Sequence, residues 1–241
     1  MIALLLNSGL GSRMGDETRE HPKCMCRLDE QDTIISWQLK LLKSCGITDA
    51  VVTTGHLSDT LTDYLTGLNS GIRLHFVHNP RYRETNYIYS MHLAREALKG
   101  QDVLSLHGDL VLHPQVMRAL VSSEVSTMAV DSTLPLPDKD FKALLKDGRV
   151  RRIGVDCFEP GSAACQAAYH WRADDFARWM AEIERFVARG DVKCYAENAF
   201  NAVSDEIPLF PYECGGLLCA EIDNQEDRAV VCARFAREVR R

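Results

Sequence analysis

The first 110 residues alternate short apolar runs with segments of helical periodicity. Apolar runs of four to six residues bounded by turn residues are typical of buried strands. The strand-like runs cover Ile2–Leu6, Ala50–Thr54, Ile72–Val77 and Asp102–Leu106, and the helical segments cover Thr33–Ser44, Ser58–Leu65 and Tyr89–Leu98. Strands that alternate with helices favour a parallel sheet, because each helix carries the chain back across it. The sequence therefore predicts an α/β, Rossmann-like fold with a mainly parallel sheet and helices on both faces.

The second half of the chain has a less regular order of elements. It contains a hairpin pattern that turns at Asp147-Gly148, two strand-like runs and two helical segments. These segments are Phe141–Val155, Ala167–Trp171, Leu217–Ile222, Ala173–Ala188 and Gln225–Val239. No repeat or long linker divides the chain. We therefore predict a single domain over residues 1–241, with a small mixed insertion over roughly residues 134–201.

The charge pattern excludes nucleic acid as the main partner. The formal net charge is −6, and no face of clustered Lys and Arg is visible, whereas binding to a phosphate backbone requires clustered cations. The basic ending Arg237, Arg240 and Arg241 is typical of a solvated helix terminus.

Cysteine spacing and hydropathy predict a cytoplasmic protein. The chain has nine cysteines, but Cys24 and Cys26 are one residue apart and no second pair has a zinc-site spacing. The apolar start lacks the basic segment of a signal peptide, and no apolar run reaches membrane-spanning length. We therefore expect reduced thiols, no structural metal and no membrane segment.

The first strand runs directly into a loop that contains glycines and is followed by two cations. Successive backbone N–H groups in such a loop can bind a polyphosphate, and glycine permits an approach that a Cβ would obstruct. The residues expected to bind a nucleotide here are Leu6, Asn7, Ser8, Gly9, Gly11 and Ser12. Arg13 and Lys23 are predicted to be catalytic, because they supply charge for the β/γ- and α-phosphates respectively.

Other phosphate-binding loops fit this sequence poorly. A Walker loop requires Gly-Lys-Ser/Thr after its glycines, which is absent here. A dinucleotide fingerprint requires G-x-G-x-x-G, but Met14 occupies the third glycine position and Gly15 comes one residue late. A simple turn after a strand remains an alternative.

Acidic residues follow two of the predicted strands. Asp109 follows the strand that ends at Leu106, and Glu221 and Asp223 lie at the end of a later strand. Open α/β sheets bind ligands at the carboxyl ends of their strands, and carboxylate oxygens are ligands for Mg²⁺. The sequence does not decide between Glu221 and Asp223, although Asp223 is preferred. An exposed strand-end carboxylate at Asp109 and a helix cap at Asp223 are the alternatives.

Four short motifs occur in an order that resembles a known superfamily. They are Gly9-Leu10-Gly11-Ser12-Arg13-Met14 with Pro22-Lys23, Asn79-Pro80 with Thr85–Met91, His107-Gly108-Asp109, and Glu221–Asp227. The first resembles the signature loop of the sugar-phosphate nucleotidyltransferases. The second resembles the phosphocholine and phosphonate cytidylyltransferase branch of that superfamily. The resemblance covers nearly the whole chain.

The resemblance implies roles for particular residues. It pairs Asp109 with an acidic residue near the C-terminus as ligands of Mg²⁺, and it puts the nucleobase near the Gly55-His56 turn and Thr85–Ser90. Asn86 and Ser90 then favour cytosine, although Asn86 also suits the cap of the following helix.

The same resemblance puts the acceptor beside the 195–201 segment and the predicted insertion. Tyr195, Glu197 and Asn198 are the expected acceptor-binding residues, with Glu197 suited to an amine. Tyr195 or Trp171 would offer such an amine a cation–π face, and a core aromatic role is the alternative for both. Lys139, in a predicted loop, is a further candidate for contact with a phosphonate.

The leading functional hypothesis is a Mg²⁺-dependent cytidylyltransferase. It would use CTP and a small phosphate or phosphonate acceptor, such as phosphocholine or 2-aminoethylphosphonate, and release pyrophosphate. The alternative within the same fold is a sugar-1-phosphate nucleotidyltransferase that uses UTP, dTTP or GTP. A non-catalytic nucleotide sensor is less consistent with the presence of Arg13, Lys23, Asp109 and Asp223, and a Rossmann oxidoreductase is disfavoured by the late Gly15.

Overall fold

A computed structural model describes residues 1–240, with only the backbone at positions 12, 16 and 17. The strands are β1 (Ile2–Asn7), β2 (Asp49–Thr54), β3 (Arg73–His78), β4 (Val103–His107), β5 (Leu110–Leu112), β6 (Thr127–Asp131), β7 (Lys142–Lys146), β8 (Arg149–Gly154), β9 (Ser162–Trp171), β10 (Phe210–Glu213) and β11 (Cys219–Glu221). The helices are α1 (Ile34–Ser44), α2 (Ser58–Gly67), α3 (Tyr87–Leu98), α4 (Pro114–Val121), α5 (Ala173–Arg189), α6 (Ala196–Val203) and α7 (Gln225–Glu238). Two 3₁₀ segments, Ser12–Thr18 and Lys23–Met25, follow β1.

A central sheet dominates the fold. Within residues 1–240 it has nine strands, in the order β10-β6-β9-β4-β1-β2-β3, with the β7–β8 hairpin joined to β9. The pairs β1–β2, β1–β4, β2–β3 and β6–β10 are parallel, and β9 is antiparallel to both its neighbours β4 and β6. A separate ribbon pairs β5 with β11. The predicted α/β fold with a mainly parallel sheet is confirmed.

The strand β1 is buried on both of its faces, because helices cover both sides of the sheet. Its side chains alternate, so that Ala3 and Leu5 enter one apolar core while Ile2, Leu4 and Leu6 enter the other. The first core includes side chains of α1, α2, α4 and α7, and the second includes side chains of α3, α5 and α6. Burial of each such leucine stabilises the fold by about 1.5–3 kcal/mol. A strand buried on both faces therefore has a continuous apolar run rather than an alternating one.

The sequence pattern predicts none of β5, β6, β10 and α4. β5 has 3 residues and β10 has 4, which is too short for a periodic signal. β10 also contains Pro211, which is tolerated because β10 lies at the edge of the sheet.

The predicted insertion over residues 134–201 includes a strand from the middle of the central sheet. β9 begins at Ser162 rather than at the predicted Ala167 and lies between β4 and β6, so it belongs to the central sheet. The predicted insertion is therefore too wide, and the β7–β8 hairpin with the loop before it is its peripheral part. The alanine-rich start of β9 has weak strand propensity, which explains the difference.

Within residues 1–240, none of the helices combines the length and apolar character needed to cross a membrane.

The buried His170 predicts a loss of stability at acidic pH. This β9 residue is fully buried, and burial lowers its pKa below the ordinary value of 6.5, with Asp102 opposing this effect and Arg172 adding to it. Below pH 6.5 the unfolded chain binds a proton that the folded chain does not. The free energy of unfolding should therefore fall as the pH drops from 6.5 towards the lower pKa of the folded state.

Urea unfolding between about pH 5 and 8 measures this effect. We expect a smaller acid-side slope for His170→Leu, which removes the titrating group and keeps an apolar volume of similar size. An unchanged slope in that variant would assign the acid sensitivity to other groups.

Candidate nucleotidyl-transfer site

The site lies where the order of strands in the sheet reverses, because β2 and β3 are added on one side of β1 and β4 on the other. β1 pairs with β2 on one side and with β4 on the other, so the carboxyl ends of β1 and β4 border a crevice. Ligands of open α/β sheets bind at such a switch point. Leu6 lies beside His107 there, and the Gly108 N–H donates to the Leu6 carbonyl at 3.0 Å.

Two neighbouring cavities occupy this crevice. The larger has a volume of about 360 Å³ and is lined by the loop after β1, the Pro22–Cys24 turn, the ends of β4 and β11 and the loop before β7. Its lining includes the predicted residues Leu6, Asn7, Gly9, Gly11, Arg13, Lys23, Asn86, Asp109, Tyr195, Glu221 and Asp223. The smaller, of about 160 Å³, adds Ser8, Tyr82 and Thr85. Most of the site residues named from the sequence therefore lie at one of the two cavities.

The two glycines of the loop have different structural roles. Gly11 has φ of 65°, and a Cβ there would lie 3.2 Å from the Cβ of Lys23. Its carbonyl accepts hydrogen bonds from the Met14 N–H and the Thr18 hydroxyl, both at 3.0 Å. A Cβ at Gly9 would meet no described atom within 4 Å. Gly11 is therefore required by the fold of the loop, whereas Gly9 leaves space above the cavity. The side chain of Ser12 lies outside the described residues.

Lys23 joins two carboxylates that are far apart in the chain. Its Nζ lies 2.6 Å from Asp109 Oδ2 and 2.5 Å from Asp223 Oδ1. The exposed Arg13 reaches the other oxygen of Asp223 at 2.9 Å. Burial opposes the charge on Lys23, but Asp109 and Asp223 outweigh it and raise the pKa of Lys23 above 10.5. Burial likewise opposes the charge on Asp109, yet Lys23 and His107 keep its pKa below 3.8. Lys23 and Asp109 are therefore charged at neutral pH.

The β5–β11 ribbon brings the C-terminal carboxylates to Asp109. Glu221 pairs with Leu110 across the ribbon, and the Ile222 N–H donates to the Asp109 carbonyl at 3.0 Å. Asn224, not Asp223, caps α7, because its side chain accepts from the next helical N–H groups. The Asp223 carboxylate is therefore available to Lys23 and Arg13.

His107 and Glu221 form a second ion pair beside this cluster. His107 Nδ1 lies 3.1 Å from Glu221 Oε1. Burial alone would lower the pKa of His107, but the bond to Glu221 outweighs it and raises the pKa to about 9. Burial and the nearby Asp109 raise the pKa of Glu221. The sequence did not identify this pair, since only the fold brings the two residues together.

The carboxylates provide a suitable environment for a divalent cation. Asp109, Asp223 and Glu221 offer the oxygen ligands that Mg²⁺ prefers. Asp109 Oδ1 is buried and has no hydrogen-bond partner among the described residues. Ligand atoms of His107, Asp109 and Glu221 lie within 4.8 Å of one another. The donor set therefore fits a hard cation.

Ser8, Ser90 and Asn79 form a buried chain of hydrogen bonds beside the smaller cavity. The Ser8 and Ser90 hydroxyls are 2.6 Å apart, and Asn79 Nδ2 donates to Ser90 at 2.9 Å. Gly55 adjoins this chain, since a Cβ there would lie 2.4 Å from the Ser8 carbonyl oxygen. Ser90 and Gly55 thus support Ser8 rather than line a cavity. The sequence motif contains Asn79, but its bonding partners become visible only in the fold.

Asn86 lines both cavities and also caps α3. Its side-chain oxygen accepts from the Tyr87 N–H at 2.8 Å. The capping role proposed as an alternative is therefore present, and it orients the Asn86 amide.

The structure separates the three predicted acceptor residues. Tyr195 lines the larger cavity and packs edge-on against Phe141, with ring centroids 5.0 Å apart. Glu197 is buried behind the cavity, where it accepts hydrogen bonds from the hydroxyls of Tyr87 and Tyr169. Asn198 is exposed and lies outside both cavities, because the turn of α6 directs adjacent side chains differently. A direct acceptor contact is therefore consistent with Tyr195, but not with Glu197 or Asn198 in this conformation.

The larger aromatic side chains behind Glu197 belong to the core. Trp171 is fully buried and stacks on Tyr169, with ring centroids 5.4 Å apart. The core alternative for Trp171 is confirmed. Phe141 and Lys139 instead line the cavity, so the loop before β7 forms its outer wall.

The fold and the crevice define the class of this chain as a nucleotidyltransferase of the α/β type. Residues 3–150 match the family model of the MobA-like NTP transferase domain, and the chain belongs to this family. The predicted superfamily is thereby confirmed.

Two relatives and one solved structure extend this assignment. The chain is 34% identical over 134 residues to the CMP-5'-(3-aminopropyl)phosphonate synthase of Streptomyces rubellomurinus. This match covers 56% of this chain but only 21% of that relative. It is 27% identical over 228 residues to the choline-phosphate cytidylyltransferase of Streptococcus pneumoniae, covering 94% of this chain and 95% of that one. The structure of the CTP:phosphocholine cytidylyltransferase from Streptococcus pneumoniae superposes with a TM-score of 0.80 at 24% identity, covering 96% of this chain and 98% of that chain, which shows a shared fold.

Gly55 is predicted to be essential for the support of Ser8. In Gly55→Ala the new Cβ would lie 2.4 Å from the Ser8 carbonyl oxygen and 2.8 Å from the Tyr82 Cβ. We expect the free energy of unfolding to fall by about 1–3 kcal/mol, as in other overpacked sites. Urea unfolding measures this change.

Gly67→Ala is the matched control, because a Cβ at Gly67 would meet no described atom within 4 Å. The control should be neutral or stabilise the protein by up to about 1 kcal/mol. Equal stability of the two variants would show that the contact at Gly55 relaxes without cost.

Proposed function

We propose that the chain is a Mg²⁺-dependent cytidylyltransferase. It transfers CMP from CTP to a small phosphorylated or phosphonylated acceptor and releases pyrophosphate. The observation that carries this proposal is the bridge from Lys23 to Asp109 and Asp223 beside the glycine loop, with Arg13 at its exposed side. This arrangement combines charge for a triphosphate with carboxylates for a divalent cation in one crevice.

The proposed reaction is an in-line displacement at the α-phosphorus. An acceptor oxygen forms the new bond to phosphorus, while the bond to the β-phosphate oxygen breaks and pyrophosphate leaves. The acceptor phosphate is largely anionic at neutral pH, since its second pKa is about 6, and no general base is required. Catalysis then depends on positioning and on charge neutralisation.

Different residues of the crevice neutralise charge at different parts of the nucleotide. Lys23 neutralises charge at the α-phosphate, and Arg13 stabilises the leaving pyrophosphate. His107, with a pKa of about 9, adds a third positive charge to the crevice at neutral pH. Asp109 and Asp223, with Glu221 nearby, would hold Mg²⁺, which supplies further neutralisation of phosphate charge when bound.

The assignment to CTP rests on the relatives and on the smaller cavity. The two relatives reported above are named as a cytidylyltransferase and a CMP-linked synthase. Ser8, Thr85 and Asn86 line the smaller cavity, where hydroxyl and amide groups can bond to the edge of a base. The acceptors in the names of those relatives are choline phosphate and an aminoalkyl phosphonate, and we propose an acceptor of this size and charge.

Pyrophosphate release is the direct test of this function. The assay contains Mg²⁺, one of CTP, UTP, dTTP or GTP, and phosphocholine, 2-aminoethylphosphonate or a sugar-1-phosphate. We expect release that requires CTP and an aminoalkyl acceptor. Release with a sugar-1-phosphate and another nucleotide would instead support the alternative class, and nucleotide binding without release from any pair would support a sensor.

Lys23→Met should reduce turnover by about 10²–10³-fold, because the substitution removes a preorganised charge from the transition state. The neutral side chain also leaves Asp109 and Asp223 without their shared partner, so thermal unfolding must be measured in parallel. Lys99→Met is the matched control, since Lys99 is an exposed lysine beyond the end of α3. Equal turnover in both variants would contradict the assigned role of Lys23.

Two substitutions distinguish the candidate cation ligands. We expect Asp223→Asn to raise the Mg²⁺ concentration for half-maximal activity by about 10–100-fold. Glu221→Gln should have a smaller effect, because Glu221 is paired with His107. Glu226→Gln, in the exposed first turn of α7, is the control. The reverse order of the two effects would make Glu221 the main ligand.

A further inference from the structure

Lys142 is a fully buried lysine at the start of β7. Lysine rarely lies wholly inside a protein, because removing an ammonium from water costs several kcal/mol unless its donors are satisfied. The strand neighbours of Lys142 are Gly154 of β8 and Ala164 of β9. The position therefore imposes a cost that an apolar residue would avoid.

The ammonium is held by main-chain oxygens and an aromatic ring. Lys142 Nζ donates to the Pro137 carbonyl at 2.5 Å and to the Asp140 carbonyl at 3.0 Å. It also lies 4.2 Å from the centroid of the Phe158 ring. Phe158 is 54% exposed, which is unusual for so large an apolar side chain, and its position over the cation accounts for this.

The two carbonyls belong to the loop that forms the outer wall of the larger cavity. Lys139, Asp140 and Phe141 of this loop line the cavity, whereas the smaller cavity is lined by Ser8 and Tyr82 on the other side of the crevice. The loop contains no regular strand or helix from Ser132 to Phe141. Among the described residues, the only main-chain hydrogen bond of residues 134–141 is the one that the Phe141 carbonyl accepts from the Cys165 N–H at 3.2 Å. The bonds to the ammonium therefore supply most of the polar contacts that hold this segment.

Asp140 shows that this loop reaches the charged cluster. Burial raises the pKa of Asp140, and the carboxylates of Asp223 and Asp227 raise it further, while Arg13 opposes them. A displacement of the loop would therefore change both the shape and the charge of the cavity wall.

We propose that Lys142 is a positioning residue that clamps the segment 137–141 over the acceptor side of the site. Its ammonium joins the segment to the β7–β8 hairpin through bonds to the Pro137 and Asp140 carbonyls, and the Phe158 ring shields the cation from water. The clamp holds Lys139 and Asp140 at the cavity wall beside the bound acceptor. The link to the acceptor rests on the proposed function, whereas the tie between Lys142 and the loop does not.

Lys142→Met tests the clamp, because methionine fills the buried space without the donors. Lys146→Met is the matched control, since Lys146 is an exposed lysine on the same strand. Lys142→Arg keeps the charge and the N–H donors. The first measurement is the rate of tryptic cleavage after the exposed Lys139, without substrates, because cleavage requires this segment to leave its position at the cavity wall.

We expect cleavage after Lys139 to be about tenfold faster in Lys142→Met, corresponding to about 1.4 kcal/mol of lost restraint. Cleavage elsewhere in the chain should proceed as in the unmodified protein. Lys142→Arg should be intermediate, and Lys146→Met should not differ at Lys139. Cleavage that accelerates throughout the chain would assign Lys142 a general structural role and overturn the proposal. The proposal is also overturned if Lys139 of the unmodified protein is already cleaved at the rate of an unfolded chain.

Steady-state kinetics then connect the clamp with the acceptor. We expect the KM for the acceptor to rise about tenfold in Lys142→Met while the KM for CTP changes less than about twofold. Equal increases in both KM values would overturn the assignment to the acceptor side. If the unmodified protein releases no pyrophosphate with any pair of substrates, the proposed function fails, and the proteolysis experiment alone decides whether the clamp exists.

Discussion

The bridge of Lys23 between Asp109 and Asp223 is the interaction on which the site depends. Asp109 and Asp223 are 86 and 200 positions from Lys23 in the chain, and each lies in a loop between two elements. In a partly buried crevice, two carboxylates so close together repel each other strongly unless a cation lies between them. Lys23 provides that cation, and the same charge is suited to a triphosphate. The stability of the site and its proposed chemistry therefore use one electrostatic arrangement.

The parallel topology of the sheet makes this arrangement possible. β1 and β4 are neighbours with the same direction, so the glycine loop and Asp109 emerge at the same edge. Close backbone approach at this edge depends on Gly108, since a Cβ there would lie 2.8 Å from the Leu6 carbonyl oxygen and 1.9 Å from the Asn7 side-chain oxygen. The β5–β11 ribbon then adds the C-terminal carboxylates from outside the sheet. The rigid sheet thus positions groups that are themselves located in loops.

The wall proposed for the acceptor differs physically from the glycine loop and its charged cluster. This wall consists of a loop without regular structure, an aromatic contact between Phe141 and Tyr195, and a buried ammonium at Lys142. Glu197 supports this wall from behind through the hydroxyls of Tyr87 and Tyr169. Such a wall can vary in sequence while the sheet edge stays the same, which suits a fold family with different acceptors.

The sequence by itself determined the features that depend on local pattern. The apolar run of β1 with its glycine loop, the cations Arg13 and Lys23 and the strand-end Asp109 all lie at the predicted crevice, because periodicity and turn residues act over a few positions. The tertiary structure alone decided which distant residues meet: it paired His107 with Glu221, buried Glu197 instead of exposing it to the cavity, and inserted β9 between β4 and β6. These outcomes depend on strand register and on the desolvation of charged groups, and both are properties of the packed molecule rather than of any short segment.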